Sequence, residues 1–349
     1  MGGSAPSWGH PDPRLTDTVR ALPRVGIHRW PVTCWPAPTL HPAGNPVVIA
    51  EEHGGFAFGG NKVRQVDVLL GQAREAGADT VVTSAGPHSN LCRVVAAAAR
   101  AAGLDVHLVL RGEPPAEPSR NQVLYELTGA RLHWVRTTDA FDPVQAETMT
   151  AIADEARANG STTAVVDVRT APGSTLCALA TTTAVDELAD TLADRPPDRI
   201  MLAGGAGNTA GGVLAALAAR RATVGLVVAS ALAPAAQLRA LVRDRAAAAL
   251  DRVGLPAALL DEVSLEVTDG QLGGGHGVPT EAAVAAQRAT ARASGAFLDL
   301  TYNSKAMAAL LADDRPGSWL FLHTGGSPNV FAPHPFPSDV PHTDEGAPR

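Results

Sequence analysis

Lysine is scarce in this chain, so its positions carry information. The 349 residues hold 28 Lys plus Arg, yet only Lys62 and Lys305 are lysines. Lys62 follows Phe58-Gly59-Gly60-Asn61. Glycines let backbone approach a ligand closely. A lysine held near a helix start and partly desolvated can lose its proton and form a Schiff base. A turn followed by a solvated lysine is the plainer reading. A second run, Gly204-Gly205-Ala206-Gly207-Asn208-Thr209-Ala210-Gly211-Gly212, follows a strand pattern and opens a helix pattern. Such a loop offers backbone N–H groups, a positive dipole end and a hydroxyl to a phosphate. It lacks the lysine of a nucleotide P-loop, and it does not fit the dinucleotide fingerprint with an acidic residue about twenty positions on. Tight packing is the other use for its glycines.

Three further runs bear chemistry-capable groups. Ser84-Ala85-Gly86-Pro87-His88-Ser89-Asn90 lies between a strand and a helix pattern, where parallel sheets bind ligands. Ser89 either caps the helix or joins Asn90 and free N–H groups in receiving a carboxylate. Gly275-His276-Gly277-Val278-Pro279 and His323-Thr324-Gly325-Gly326 set an imidazole and a hydroxyl in glycine-rich turns. Asp299-Leu300-Thr301-Tyr302-Asn303 holds one of two tyrosines. Each of these alone reads as structural.

Composition removes several classes. With 35 Asp plus Glu the formal net charge is −7, which opposes binding to nucleic acid or an anionic membrane. Cys34, Cys92 and Cys177 lie far apart and form no C-x-x-C pair. Neither a disulfide framework nor a metal site is expected. The first residues lack a basic segment followed by an apolar one, and residues 222–238 are interrupted by Ser230, Pro234 and Gln237. Neither a secretory leader nor a membrane span is expected, so the chain reads as cytoplasmic. A hydrophobic content of 45% with 34 glycines and 27 prolines describes a globular chain rich in turns.

The elements that must position these groups alternate. Strand patterns cover 47–50, 80–83, 106–110, 131–135, 165–168, 199–203, 224–230 and 318–323. Helical patterns cover 61–76, 89–102, 119–127, 143–158, 175–194, 209–220, 235–249, 280–294 and 304–313. Strict alternation predicts parallel sheets with crossover helices. Residues 1–45 read as an extended arm with a flexible first dozen residues, and the proline-rich tail after Phe331 as irregular.

Gly59-Gly60-Asn61-Lys62, Ser89-Asn90, the 204–212 loop, Gly275 to Pro279, Tyr302 to Met307 and His323 to Gly326 occur in the order and spacing of one family. Over about residues 20–332 the sequence resembles the pyridoxal-phosphate enzymes of the tryptophan-synthase β type. Within them it is similar to the branch holding D-cysteine desulfhydrase and 1-aminocyclopropane-1-carboxylate deaminase. The resemblance implies a two-domain, three-layer α/β fold with parallel twisted sheets flanked by helices. It implies a large domain of residues 1–62 and 176–349 with a small domain, 63–175, inserted.

The resemblance also implies roles. Lys62 matches the Schiff-base lysine and the acid or base at Cα. Asn90 matches the contact to the cofactor's ring hydroxyl, and Ser89 the residue near the substrate carboxylate. Gly205, Ala206, Gly207, Asn208 and Thr209 match the phosphate cup. Thr324 matches the hydroxyl facing the pyridine nitrogen, and Tyr302 a catalytic tyrosine above the ring. His88 and Asn303 fall beside the substrate. His276 stands where both branches usually carry tyrosine, either lining the pocket or moving protons near neutral pH. Asn303 replaces the glutamate of the deaminases, and Gly86-Pro87-His88 replaces a bulkier Gly-Ile-Gln. The implied activity is β-elimination or β-replacement on a specialised amino acid, with ring opening as the alternative. A silent amino-acid or phosphate-binding module is the reading from another class. A homodimer without nucleic-acid or membrane partners is expected.

Overall fold

The computed structural model describes residues 5–140 and 142–331. The chain runs α1 (Pro13–Ala21), β1 (Thr33–Pro36), β2 (Val47–Glu51), α2 (Asn61–Glu75), β3 (Thr80–Ala85), α3 (Asn90–Ala101), β4 (Asp105–Arg111), α4 (Asn121–Leu127), β5 (Arg131–Val135), α5 (Val144–Ala158), β6 (Thr163–Val166), α6 (Gly173–Thr191), β7 (Arg199–Gly204), α7 (Asn208–Arg220), β8 (Gly225–Ser230), α8 (Ala235–Arg252), β9 (Leu265–Thr268), α9 (Glu281–Ser294), α10 (Asn303–Leu311) and β10 (Trp319–His323).

The strands form two sheets. One has six strands in the order β1-β2-β10-β7-β8-β9, and the other four in the order β5-β4-β3-β6. All pairings are parallel except β1 with β2. Parallel sheets must be covered on both faces, and both are. Leu202, Val228 and Leu322 of the larger sheet pack with α6, α7 and α8, while Met201, Val227 and Phe321 pack under α10 and α9. In the smaller sheet Val81 and Leu108 face α2 and α3, while Val82 and Val109 face α5. Neighbouring residues thus point to opposite layers, as the pleat requires.

The N-terminal segment is not an extended arm. Asp12 caps α1 by accepting from the Arg14 amide, and Pro13 occupies the first helical turn. Leu15 and Val19 of α1 are buried in the large core. Ahead of α1, Trp8 is buried too, and its Nε1 donates to the Leu192 carbonyl at 3.2 Å. Residues 33–36 form the edge strand β1. The strand expected over 165–168 is instead Thr163–Val166. Asp167 leaves the ladder because its carboxylate accepts from the Arg169 amide and guanidinium. The edge strand β9 and a 3-10 turn at Ala257–Glu262 were not expected. The tail beyond Phe331 lies outside the described residues.

Two strand ends prepare the site. β2 and β10 run parallel with His323 opposite Glu51. Their extensions stay paired: Glu52 N–H donates to the His323 carbonyl, and Asn61 N–H to the Thr324 carbonyl. The loop carrying Lys62 is thereby held against the turn carrying Thr324.

Candidate active site

The Lys62 turn is a tight backbone crossing. A Cβ built on Gly325 would meet the Gly60 Cα at 2.5 Å, and one on Gly60 would meet the Thr324 carbonyl oxygen at 3.0 Å. Only glycine fits both positions. Residues 57–60 all have positive φ, at 45°, 64°, 67° and 94°. Two of these, Ala57 and Phe58, are not glycine, which is backbone strain of the kind stored at functional turns. α2 begins directly after it and presents Lys62 on its first turn.

Lys62 Nζ donates to Gln65 Oε1 at 2.9 Å, one helical turn on. Gln65 is in turn fixed by donating to Thr181 and Thr209 hydroxyls. No carboxylate forms an ion pair with Lys62 among the described residues. Burial therefore lowers its pKa from the ordinary lysine value. A lysine so placed is more readily the neutral amine that nucleophilic chemistry needs.

The 204–209 loop lies beside it. β7 ends at Gly204, Gly207 turns with φ of +84°, and α7 starts at Asn208. The N-terminal N–H groups of α7 and the Thr209 hydroxyl form a donor set at the helix start. Thr209 Oγ1 accepts from Asn61 Nδ2 at 2.5 Å, which joins this loop to the Lys62 turn. A Cβ on Gly205 would lie 3.2 Å from the Tyr302 ring. Gly211 has a different use: a Cβ there would strike Arg245 at 2.5 Å, so it serves packing of α7 on α8.

The smaller sheet supplies the opposite wall. Ser89 caps α3, its Oγ accepting from Leu91 and Cys92 amides. The two readings of Ser89 are compatible, because the capping oxygen keeps its own proton to donate. Asn90 Oδ1 accepts from Asn121 Nδ2 at 3.1 Å and Arg93 Nη2 at 3.5 Å. This turns the Asn90 Nδ2 donors away from α4. Arg93 is buried and also donates to the Gly59 carbonyl, bridging α3 to the Lys62 turn. His88 Nδ1 is buried without a partner, and burial with the nearby Arg120 charge holds its pKa at about 4.

Tyr302 and His276 close the site from above. His276 Nε2 lies 2.8 Å from Tyr302 Oη, with the rings edge to face. The loop carrying His276 is pinned by Lys305, whose buried Nζ donates to the carbonyls of Leu272 and Gly275. The second lysine of the chain is thus an anchor.

The His276 ring is exposed to solvent on one side, and partial desolvation, with the charges of Arg111 and Lys305, lowers its pKa to about 4. Burial, together with Asp299, pushes Tyr302 up to about 12. Both are neutral between those values, so His276 does not titrate near neutral pH as its residue type leads one to expect. Turnover should show no inflection belonging to His276 between pH 5.5 and 8 (roughly the ordinary imidazole range). A pH profile that loses an inflection there in His276→Gln contradicts this.

Asn303 does not line the cavity. It is buried, and its Nδ2 donates to Asp299 Oδ1 and the Gly325 carbonyl, both at 2.7 Å. Its Oδ1 accepts from the Thr324 amide at 3.0 Å and the Thr324 hydroxyl at 3.3 Å. No donor or acceptor is left for a substrate. Asn303 positions Thr324 and the Gly325 turn. The structure therefore brings together Lys62, Asn90, Gly205 to Thr209, Tyr302, His276 and Thr324, with His88 and Ser89 on the opposite wall. Sequence reasoning missed Gln65, Arg93, Asn121 and Arg111. Of these only Gln65, one turn from Lys62 on the same helix, had a local signal.

Comparison with known proteins agrees with this geometry. The family described as pyridoxal-phosphate dependent enzyme matches residues 26–325. A Pyrococcus horikoshii protein assigned provisionally as a 1-aminocyclopropane-1-carboxylate deaminase is 30% identical over 332 residues, covering 91% of this chain and 96% of its own. A D-cysteine desulfhydrase of Salmonella choleraesuis is 29% identical over 296 residues, covering 80% of this chain and 86% of its own. Among solved structures, a 1-aminocyclopropane-1-carboxylate deaminase homologue superposes with a TM-score of 0.80 at 27% identity, over 92% of this chain and 97% of that one. The chain belongs to the pyridoxal-phosphate-dependent enzyme family, and its cofactor is pyridoxal 5′-phosphate.

The residues present fit that group. A phosphate matches the N–H groups at the start of α7 and the Thr209 hydroxyl. A flat ring matches the wall opened by Gly205, where a side chain would meet Tyr302 at 3.2 Å. An aldehyde matches the one lysine of the cleft, held by Gln65. Among the described residues there is no group of His, Cys, Asp and Glu that could hold a metal, and no helix is long and apolar enough to cross a membrane.

Proposed function

We propose that this enzyme is a lyase acting on a small amino acid, removing a proton at Cα and eliminating or replacing a substituent at Cβ. The observation that carries the reading is Lys62, a part-buried amine that makes no ion pair among the described residues, set between the phosphate-binding loop and the Asn90 wall. When bound, the cofactor supplies an electron sink for negative charge developing at Cα. Lys62 Nζ holds and moves the Cα proton. Gln65 fixes the direction of its approach. Ser89 and the free N–H groups of His88 and Asn90 orient the substrate carboxylate. Tyr302, with His276 as its hydrogen-bond partner, covers the reacting atoms.

Desulfhydrase-like elimination is favoured over cyclopropane ring opening. The ring-opening branch carries two tyrosines at the positions of Tyr302 and His276, and here the second is a neutral imidazole already engaged by Tyr302. The cleft between the two sheets fits a large domain of residues 1–62 and 176–349 with residues 63–175 inserted. A cytoplasmic homodimer completes the reading, on the habit of the family, and light scattering of the purified protein checks it.

The test is a panel of D- and L-amino acids with leaving groups at Cβ, plus the cyclopropane substrate. Released 2-oxo acid, ammonia and thiol are measured for each. Release from at least one Cβ-substituted amino acid, and none from the cyclopropane, is expected. Binding across the panel without product would instead favour a silent binding module.

A further inference from the structure

Arg111 ends β4, one register step beyond Leu110, which pairs with Ala85 at the end of β3. That register lays the guanidinium across the turn after β3. A Cβ built on Gly86 would lie 2.9 Å from Arg111 Nη2. The absence of a side chain at 86 is what lets Arg111 lie there. Its charge is felt by Tyr302 and by His276. It therefore stands at the same mouth of the cleft as the pair covering the site.

Among the described residues no carboxylate lies within ion-pair distance of Arg111 and its side chain donates no hydrogen bond to a protein acceptor, Asp139 being the acidic side chain whose charge acts on it from further off. The neighbouring cation Arg169 does have a partner, Asp167, at 3.0 Å. The guanidinium is part-buried and none of its nitrogens is sealed off without a partner, so an incoming anion can reach them. Five donors in a planar fork match a carboxylate or phosphate in two-point contact. The substrate's own α-carboxylate already has the amides of His88 and Asn90, which donate to no protein acceptor, and the Ser89 hydroxyl. The guanidinium is left for a second anion.

We propose that Arg111 binds an acidic group on the substrate's side chain, so that the preferred substrate is an amino acid with two acidic groups. The proposal rests on the amino-acid reading given above. The cleft then pairs each anion with its own donor: the cofactor phosphate with the start of α7, the α-carboxylate with the start of α3, and the distal acid with the end of β4.

Matched acid and amide pairs test it: aspartate against asparagine and glutamate against glutamine, each as both enantiomers. Binding to the holoenzyme is read from the absorbance change of the bound cofactor and from thermal shift. For at least one pair the acid should bind ten times more tightly than the amide or better. In Arg111→Gln that ratio should collapse toward one, and Arg111→Lys should keep part of it. Equal binding of acid and amide by the native enzyme overturns the proposal, as does a ratio that survives in Arg111→Gln. Equal weakening of both members in Arg111→Gln also overturns it, because it assigns Arg111 to the α-carboxylate. A holoenzyme that binds neither member of any pair overturns the amino-acid reading and this assignment with it. One that binds both alike overturns the assignment only.

Discussion

Replacing Lys62 by alanine is expected to lower turnover by about 10²–10⁴-fold or more while leaving the fold intact, on the usual scale of a positioned acid–base group. The side chain makes a single hydrogen bond, to Gln65. Its burial lowers its pKa, so the protein holds a poorly solvated amine that contributes nothing to stability. Function is the physical account of that cost. Removing it should leave the unfolding midpoint equal or slightly raised, and the rate with the best substrate of the panel should collapse. An unchanged rate in Lys62→Ala would remove the lysine from the chemistry.

The second large effect falls on stability. Arg64 sits two residues beyond Lys62 and is buried. It donates to Glu52 Oε2 at 3.0 Å and to both oxygens of Glu187 at 2.7 and 2.8 Å, and it also reaches the Thr183 hydroxyl. Glu187 accepts in addition from the Val32 amide at 2.9 Å. One guanidinium thus ties α2, α6, the segment after β2 and the chain before β1. Glu52 is 1% exposed, and its Oε1 has no partner. Arg64→Met leaves that carboxylate buried and uncompensated, which costs about 3–5 kcal/mol. The urea midpoint should fall accordingly. Arg64→Met combined with Glu52→Gln should recover part of the loss, because the stranded charge is gone. A single variant with the native midpoint would show that the network carries no stability.

Much of this architecture is legible in the sequence because its signals are local. Strands such as 131–135 and the crossover helices follow from apolar period and glycine stops, and β5 matches residue for residue. The edge strands β1 and β9, four residues each, are too short to show a period. α1 is short as well, though Asp12-Pro13 was a readable cap signal.

The site divides in the same way. The glycine runs around Lys62, Gly205 and Gly325 announce close backbone approach, and the structure shows why at Gly60 and Gly325. Asn303 misleads because adjacent helical residues do not face the same way. Tyr302 turns toward Gly205 and His276, while Asn303 turns inward to Asp299 and Thr324. Arg111 has no local signal at all. Its meeting with Gly86 depends on the register of β3 on β4, which only the folded sheet displays.

The central claim is that Lys62 is the residue that binds pyridoxal phosphate covalently. Reducing the holoenzyme with borohydride and mapping the modified peptide tests it directly. A pyridoxyl group on the peptide carrying Lys62, and none on the peptide carrying Lys305, is the predicted result. A pyridoxyl group on Lys305, or no modification in a protein that retains the cofactor, would contradict it.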